Sequence, residues 1–202
     1  MRYFQSDDSG AKPALGLMTT LPLQWSEGGI EADLAKDAKA HPAYARLQQQ
    51  YDVRPIDNFD TLDSDRVDVL VLAQPRALSP AELVKLDGWV RAGGRLVVFA
   101  DPALQWGSLY PLGDKRRPLF TTMLSPLFAH WGLELVLPMT GQEAITLLEI
   151  NGLTLRTQTP GEWIEKAGES TGSCQILEQR IVADCKIGQG RALLVSDADL
   201  LD

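Results

Sequence analysis

Cysteine and histidine are both scarce in this chain of 202 residues, which contains two of each. The cysteines, Cys174 and Cys185, lack the paired CxxC spacing of a structural zinc site. Neither lies in the sequence setting of an activated thiolate nucleophile. We predict free thiols, and the alternative is a disulfide across neighbouring strands in an oxidising compartment.

Signatures of catalysis are also sparse. No predicted strand is followed by a GxSxG-type nucleophile elbow. A Ser/His or Cys/His mechanism would have to recruit His41 or His130, and without an elbow we do not expect one. The segment "GQGR" contains GxG with no helix pattern behind it, so phosphate binding has little support and no cofactor is predicted.

Basic residues and long apolar runs are in short supply as well. Acidic residues outnumber Lys and Arg by 27 to 19, giving a formal charge of −8. Such a surface repels phosphate backbones, so no nucleic-acid partner is expected. No apolar run approaches the roughly 20 residues that span a bilayer, so we predict no membrane segment in this sequence. From the residues alone the chain is expected to be soluble and cytoplasmic, unless it is a domain excised from a longer protein.

The clearest pattern that is present lies in residues 67–102. "VDVLVLA" is an apolar run typical of a parallel strand covered on both faces. A helix follows, with Ser79 and Glu82 as a capping box, Pro80 at its first position and two glycines at its end. "RLVVFA" is the next strand, and this order predicts two parallel strands with the helix packed on one face.

The rest of the chain extends this α/β pattern. "ALGLMT" predicts the first strand, "AYARLQQQY" a helix, and "DVRPID" an edge strand, because Pro55 cannot donate a ladder hydrogen bond. Asn151-Gly152 lies between two alternating apolar segments, which indicates a hairpin. The late segment "RALLVS" is predicted to return to the main sheet.

We therefore predict one α/β domain over residues 1–202, with a mainly parallel sheet, helices on both faces and an antiparallel C-terminal hairpin region. Residues 1–13 are predicted to be a flexible lead-in, and residues 144–190 a β-rich insertion or extension.

Ligands of open α/β sheets bind beyond the carboxyl ends of the strands, where the strand order reverses. That rule, with one aromatic residue in the loop after the fourth predicted strand, selects a set of candidate ligand-binding residues: Thr19, Thr20, Gln74, Asp101, Trp106, Asp197 and Asp199. The three carboxylates could hold a hard cation or an alcohol-rich ligand, although we assign no metal site. Asp101 and Asp197 are also good helix caps or turn formers, which is the interpretation we favour for each acid taken singly.

Three blocks of the sequence resemble the extracytoplasmic domain of auxiliary proteins of gliding-motility-type ABC transport systems. They are "LGLMTTLPL", the block that ends in "GGRLVVFADP", and "GQGRALLVSDADLLD", in which Leu200 replaces the last aromatic residue of the family pattern. The resemblance implies a flavodoxin-like or class I glutamine amidotransferase-like sheet without the amidotransferase cysteine. It also implies a place beside a membrane transporter, on the extracytoplasmic face of the inner membrane. On this mapping Asp101, Asp197 and Asp199 occupy the aspartates of the family pattern.

The leading hypothesis is a non-enzymatic binding or interaction domain of an ABC transport auxiliary protein, acting through the sheet edge around Asp101. Its expected partners are membrane transporter subunits and a small polar ligand. The alternative is an amidotransferase-like or metal-dependent hydrolase relative that uses the acids at that edge. A third possibility is a structural partner of another chain, whose crevice is filled by its own side chains.

Overall fold

The computed structural model describes residues 11–25, 27, 40–60, 62, 67–137, 145–150 and 153–202. Most of the predicted lead-in and the Asn151-Gly152 turn lie outside these residues. Within them, no helix has both the length and the apolar character needed to cross a bilayer.

The described residues form three α-helices and eleven strands. In chain order the strands are β1 Ala14–Thr19, β2 Asp52–Pro55, β3 Val69–Ala73, β4 Arg95–Phe99, β5 Leu133–Val136, β6 Ile145–Ile150, β7 Leu153–Gln158, β8 Glu162–Glu165, β9 Ser173–Leu177, β10 Val182–Ile187 and β11 Gly190–Val195, and the helices are α1 Pro42–Gln50, α2 Pro80–Arg91 and α3 Ser125–His130.

Seven of these strands form the central sheet, in the order β2-β1-β3-β4-β11-β10-β9. The first five strands in that order are mutually parallel, while β10 and β9 continue the sheet in antiparallel fashion. The parallel part has the flavodoxin-like order of a doubly wound sheet, which reverses direction between β1 and β3. The predicted mainly parallel α/β fold is confirmed, as is the return of "RALLVS" to the sheet beside β4.

Helices cover the two faces of this sheet, because alternate residues of each strand point to opposite sides. On one face Tyr44 and Leu47 of α1 pack on a cluster that includes Leu15 and Val71. On the other, α2 buries Leu86, Trp89 and Val90 in the larger core. β3 is buried along its whole length, as its continuous apolar run predicts.

The capping box of α2 is present as predicted. The Ser79 hydroxyl accepts a hydrogen bond from the Glu82 backbone N–H at 3.3 Å, and Glu82 Oε2 accepts one from the Ser79 N–H at 2.8 Å. These reciprocal bonds satisfy two of the N–H groups that a helix start leaves unpaired. The capping box therefore defines the first turn of α2, the helix that connects β3 to β4.

The predicted free thiols are wrong. Cys174 in β9 and Cys185 in β10 face each other across the antiparallel pair and form a disulfide with an S–S distance of 2.05 Å. The two cysteines are 11 residues apart, and this spacing alone does not predict a disulfide, because their pairing depends on the register of β9 against β10. The disulfide ties the outermost strand to the sheet.

The predicted β-rich region adds two small sheets beside the central one. β5 pairs with β8, and β6 pairs with β7 across the predicted hairpin, both in antiparallel fashion. Trp163 of β8 is fully buried and packs edge-on against Phe128 of α3, with ring centroids 4.9 Å apart. This contact joins the β5–β8 sheet to the main core.

Candidate functional site

The carboxyl ends of β1 and β3 meet where the order of the central sheet reverses. β1 ends at Thr19, and Gln74 directly follows β3. The Thr20 hydroxyl donates a hydrogen bond to the backbone oxygen of Gln74 at 2.5 Å, which ties the two chain segments together. The topological rule for doubly wound sheets places a ligand crevice at this point.

Gln74 occupies this position in a left-handed backbone conformation with a φ of 41°. Its side chain is fully buried, and Oε1 accepts a hydrogen bond from the Asp101 N–H at 2.9 Å. Its Nε2 donates to the backbone oxygens of Leu119 at 2.8 Å and Asp101 at 3.2 Å. The amide therefore bridges β3 to the loop after β4, and its polar atoms are committed to the backbone.

Three carboxyl groups converge beyond the ends of β4 and β11. Asp101, Asp197 and Asp199 each contribute one carboxylate oxygen, and these three oxygens lie within 4.8 Å of one another. Asp101 and Asp197 are fully buried, while Asp199 is partly exposed. We call these three residues the acid triad, and it contains all the aspartates selected from the sequence.

Backbone N–H groups bind nearly every oxygen of the acid triad. Asp101 Oδ1 accepts from Ala103 N–H at 2.7 Å, and Oδ2 accepts from Ala198 N–H at 3.2 Å. Asp197 accepts from Leu200 N–H at 3.1 Å and from Gln158 N–H at 2.9 Å, and Asp199 Oδ2 accepts from Gln105 N–H at 2.8 Å. The triad thus clamps the β4 loop, the C-terminal turn and the end of β7 to one another. The bonds from Ala103 to Asp101 and from Leu200 to Asp197 are local turn bonds, of the kind that the favoured interpretation of these two acids predicted, whereas the other bonds join distant segments.

Burial raises the pKa of all three acids. The pKa of Asp101 is raised to about 7, mainly by burial, and the nearby charges of Asp199 and Asp197 contribute. The pKa of Asp197 is raised to about 6 by burial and by Asp199, against the opposing effect of its backbone hydrogen bonds. The pKa of Asp199 is raised by burial as well. The cluster therefore takes up protons close to neutral pH, as crowded like charges in a desolvated site do.

Trp106 is buried rather than presented to solvent. Its side chain is 7 % exposed and lies in a cluster with Leu21, Leu23 and Leu104. The ring of His41 lies 5.3 Å from it, centroid to centroid. Packing therefore accounts for Trp106 in this structure.

An open pocket of about 240 Å³ lies at the end of β1. It is lined by Thr19, Thr20, Leu21, Pro22, Gln24, Trp25, Glu27, Tyr110 and Arg116. The Tyr110 hydroxyl donates to the backbone oxygen of Glu27 at 2.5 Å, and Glu27 Oε2 accepts from the Leu109 N–H at 2.5 Å. These bonds hold the loop after β4 over the segment that follows β1.

Thr19 and Thr20 are the predicted site residues that line this pocket. Gln74 and the acid triad are not among the lining residues, although Thr20 bonds to the backbone oxygen of Gln74. The sequence analysis missed Gln24, Trp25, Glu27, Tyr110 and Arg116. The stretch "QWSE" directly after "LPL" was an available signal, since it puts one aromatic and three polar residues just past a strand end, and Gln24, Trp25 and Glu27 of it line the pocket. Nothing in the sequence shows that Tyr110 and Arg116 meet them, because that depends on how the long loop folds back.

The family match covers the whole pocket and Asp101, but not Asp197 and Asp199. A family model described as "ABC-type uncharacterized transport system" matches residues 12–137, which contain every residue of the pocket. The chain belongs to this family. The predicted membership of an ABC transport auxiliary family is therefore confirmed. No curated protein matches it in sequence.

Solved structures share the fold of this family member at low sequence identity. An exo-β-1,4-mannosidase, Op5Man5 from Opitutaceae bacterium strain TAV5, aligns with a TM-score of 0.55 and 15 % identity, over 94 % of this chain and 32 % of that one. A β-galactosidase from Rahnella sp. R3 aligns with a TM-score of 0.52 and 16 % identity, over 95 % and 30 %. A ThuA-like protein from Bacteroides uniformis ATCC 8492 has a TM-score of 0.49 and 10 % identity, over 96 % and 86 %. The chain spans about a third of the length of the two glycosidases, and these likenesses concern the fold alone.

Proposed function

We propose that this chain is a non-enzymatic binding domain of its ABC transport system, working on the extracytoplasmic side of the membrane through the carboxyl edge of β1. The observation that carries the proposal is the pocket at Thr19 and Thr20, which lies at the strand-order reversal and within the region matched by the family. The finer assignments belong to this proposal too. They are the gliding-motility type, which rests on the three blocks of sequence that resemble that family, and the amidotransferase-like relationship that the resemblance implies.

The surroundings of the pocket support a binding face. Trp25, in the pocket wall, is 70 % exposed, and Leu109 and Leu112 in the neighbouring loop are 80 % and 78 % exposed. Clustered exposed apolar residues mark interaction sites on soluble domains. We call Trp25, Leu109 and Leu112 the apolar rim, and we assign transporter subunits as its partner.

The disulfide supports the extracytoplasmic placement. Disulfides persist in oxidising compartments and are rare in the reducing cytosol. The Cys174–Cys185 bond joins two strands of the central sheet, where it has a structural position away from the pocket.

The chemistry of the site favours binding over catalysis. Both cysteines are consumed by the disulfide, so neither can act as the thiolate nucleophile of an amidotransferase. The carboxylate oxygens of Asp101 and Asp197 accept hydrogen bonds from backbone N–H groups, and these bonds hold loops together. The alternative, a metal-dependent hydrolase relative acting through these acids, requires an activity that is lost in Asp101→Asn while the fold is retained.

Affinity purification of the tagged full-length protein from membranes of its native cells tests the proposal. We expect the permease and ATPase subunits of the transport system to co-purify with the wild type. Leu109→Glu, which puts a charge on the apolar rim, should reduce their recovery about tenfold, equivalent to about 1.4 kcal/mol of binding free energy. The matched control is Val84→Glu, because Val84 is 72 % exposed on α2, away from the pocket.

Two results would contradict the proposal. Absence of the transporter subunits from the wild-type purification contradicts a partnership with the transport system. Equal recovery with Leu109→Glu and Val84→Glu contradicts the assignment of the binding face to the carboxyl edge of β1.

A further inference from the structure

Two polar atoms in the wall of the β1 pocket have no hydrogen-bond partner among the described residues. They are Nε2 of Gln24, a donor, and Oε1 of Glu27, an acceptor, and both atoms are shielded from solvent. A shielded polar atom without a partner is destabilising, so such atoms in a pocket wall point to a ligand that completes their hydrogen bonding.

The two threonines add one donor and one acceptor to this set. Thr19 Oγ1 accepts from the Leu21 N–H at 2.9 Å, which leaves its hydroxyl hydrogen available to donate. The Thr20 hydroxyl donates to Gln74, which leaves its oxygen available to accept. A hydroxyl group carries one donor and two acceptor lone pairs, as each threonine does. The pocket wall therefore offers both hydrogen-bond donors and hydrogen-bond acceptors to a ligand.

The charges around the pocket select against anions. Arg116 is the lining residue that carries a positive charge, and it is paired with both carboxylate oxygens of Asp114, at 3.0 and 2.7 Å. Its guanidinium also covers the ring of Tyr110, 4.1 Å from the centroid. Glu27 contributes an acidic group to the same wall. A phosphate or carboxylate ligand would meet this acid with no unpaired cation from the described lining.

We infer that this pocket binds a neutral polyhydroxylated ring, a single saccharide unit. Ligand hydroxyls can accept from Gln24 and Thr19 and donate to Glu27 and Thr20 at once, which neither an amine nor an anion does. The exposed indole of Trp25 in the pocket wall offers an apolar surface for the C–H face of such a ring. The volume of about 240 Å³ suits one ring, since pockets for drug-sized ligands measure about 300–1,000 Å³.

This inference rests on the proposed function and names the ligand of the same binding face. It extends that proposal from a surface that contacts transporter subunits to one that also presents a sugar-bearing compound to them.

Saturation-transfer NMR with the full-length protein and methyl glycosides of glucose, galactose, mannose and N-acetylglucosamine tests the inference. Each glycoside is added at about 10 mM, which populates sites with a millimolar Kd. We expect saturation of at least one glycoside. Trp25→Ala and Gln24→Leu should each weaken its binding tenfold or more, and Phe120→Ala and Gln49→Leu, exposed positions outside the pocket, are the matched controls.

Trp25→Ala removes a largely exposed side chain, so an unchanged melting temperature separates lost binding from lost fold. No saturation of any glycoside by the folded wild type would overturn the inference, as would equal losses in the pocket and control variants. A wild type that binds no glycoside but still co-purifies with the transporter subunits overturns this inference alone. Failure of co-purification with sugar binding intact overturns the proposed partner instead.

Discussion

At the scale of single residues, the Gln74 side chain alone forms hydrogen bonds with three backbone groups. Its fully buried amide satisfies one N–H and two carbonyl groups of the backbone. The left-handed conformation that it adopts to do so is strained for a residue with a Cβ. Strain of this kind persists where the surrounding contacts enforce it, and here it lies at the strand-order reversal.

Gln74→Ala is expected to lower the free energy of unfolding by at least about 2 kcal/mol, because unsatisfied buried polar groups cost about 1–3 kcal/mol each. Chemical denaturation measures the change. Gln49→Ala, at an exposed position of α1, is the control and should stay within about 0.5 kcal/mol of the wild type. A Gln74→Ala protein as stable as the control would show that the amide bridge contributes nothing.

The acid triad predicts a definite pH dependence of stability. Asp101 and Asp197 have pKa values raised to about 7 and about 6, whereas an unfolded Asp titrates near about 3.9. The folded chain therefore binds more protons than the unfolded chain between these values. Its free energy of unfolding should rise as the pH falls from about 7.5 to about 5, by up to about 1.4 kcal/mol per pH unit for each extra proton.

Thermal unfolding across this pH range measures that slope. Asp101→Asn removes one of the two groups and should flatten it, while Asp60→Asn, at a side chain that is 72 % exposed, should keep it. Glu82 acts in the opposite sense, since Arg76 and Ser79 lower its pKa to about 2, but its contribution is lost only below the pH range tested. A stability that falls on mild acidification would contradict the raised pKa values.

At the scale of elements, the start of β11 packs tightly against the end of α2. A Cβ built on Gly190 would lie 1.9 Å from the backbone oxygen of Val90 and 2.5 Å from that of Gly94. Backbone oxygens cannot move aside as a flexible side chain can. Gly190→Ala should therefore cost about 3 kcal/mol or more, the upper part of the range for overpacking.

Gly107→Ala is the matched control, because a Cβ there would meet no atom within 4 Å. We expect its denaturation midpoint to match that of the wild type. A Gly190→Ala protein with the same midpoint would show that α2 and β11 are less closely packed than the structure has them.

The disulfide makes a second prediction for an element, the edge strand β9. Closing a loop of 11 residues in the unfolded chain is worth about 3 kcal/mol in the chain-entropy account. Reduction should lower the melting temperature by about 6–12 °C, given about 2–4 °C per kcal/mol for chains of this length. The double variant Cys174→Ala/Cys185→Ala should not respond to the reductant, and a wild type that is equally unresponsive would contradict the bond.

The elements that the sequence predicted correctly are those with local signals. The capping box defines α2, the continuous apolar run defines β3, and Pro55 confines β2 to the edge of the sheet. The disulfide was predicted incorrectly because register, which local patterns do not encode, brings Cys174 opposite Cys185.

For the site, the residues that follow the strand ends were selected as candidates, among them Thr19 and Thr20, which line the pocket, and the acids, whose oxygens bind backbone N–H groups of neighbouring loops. The sequence does not distinguish a residue that lines the pocket from one that joins loops, because the difference depends on which backbone N–H groups lie within reach of each side-chain oxygen. Tyr110 and Arg116 could not be predicted as pocket residues, since their position in the pocket depends on how the long loop after β4 folds back.

At the scale of the whole molecule, the scaffold and the binding face are separate. The acid triad and Gln74 join loops inside the protein, and the disulfide secures the far edge of the sheet. The pocket and the apolar rim lie outside this framework, at the end of β1. Under the proposed function, a transporter subunit can therefore bind this face without a movement of the core.

The most direct test of that account is site-specific photocrosslinking in native cells, with a photoreactive amino acid at position 109 of the full-length protein. We expect crosslinks to a permease subunit of the transport system from position 109, and none from position 84 on α2. Crosslinks from position 84 alone, or from neither position, would contradict a binding face at the carboxyl edge of β1.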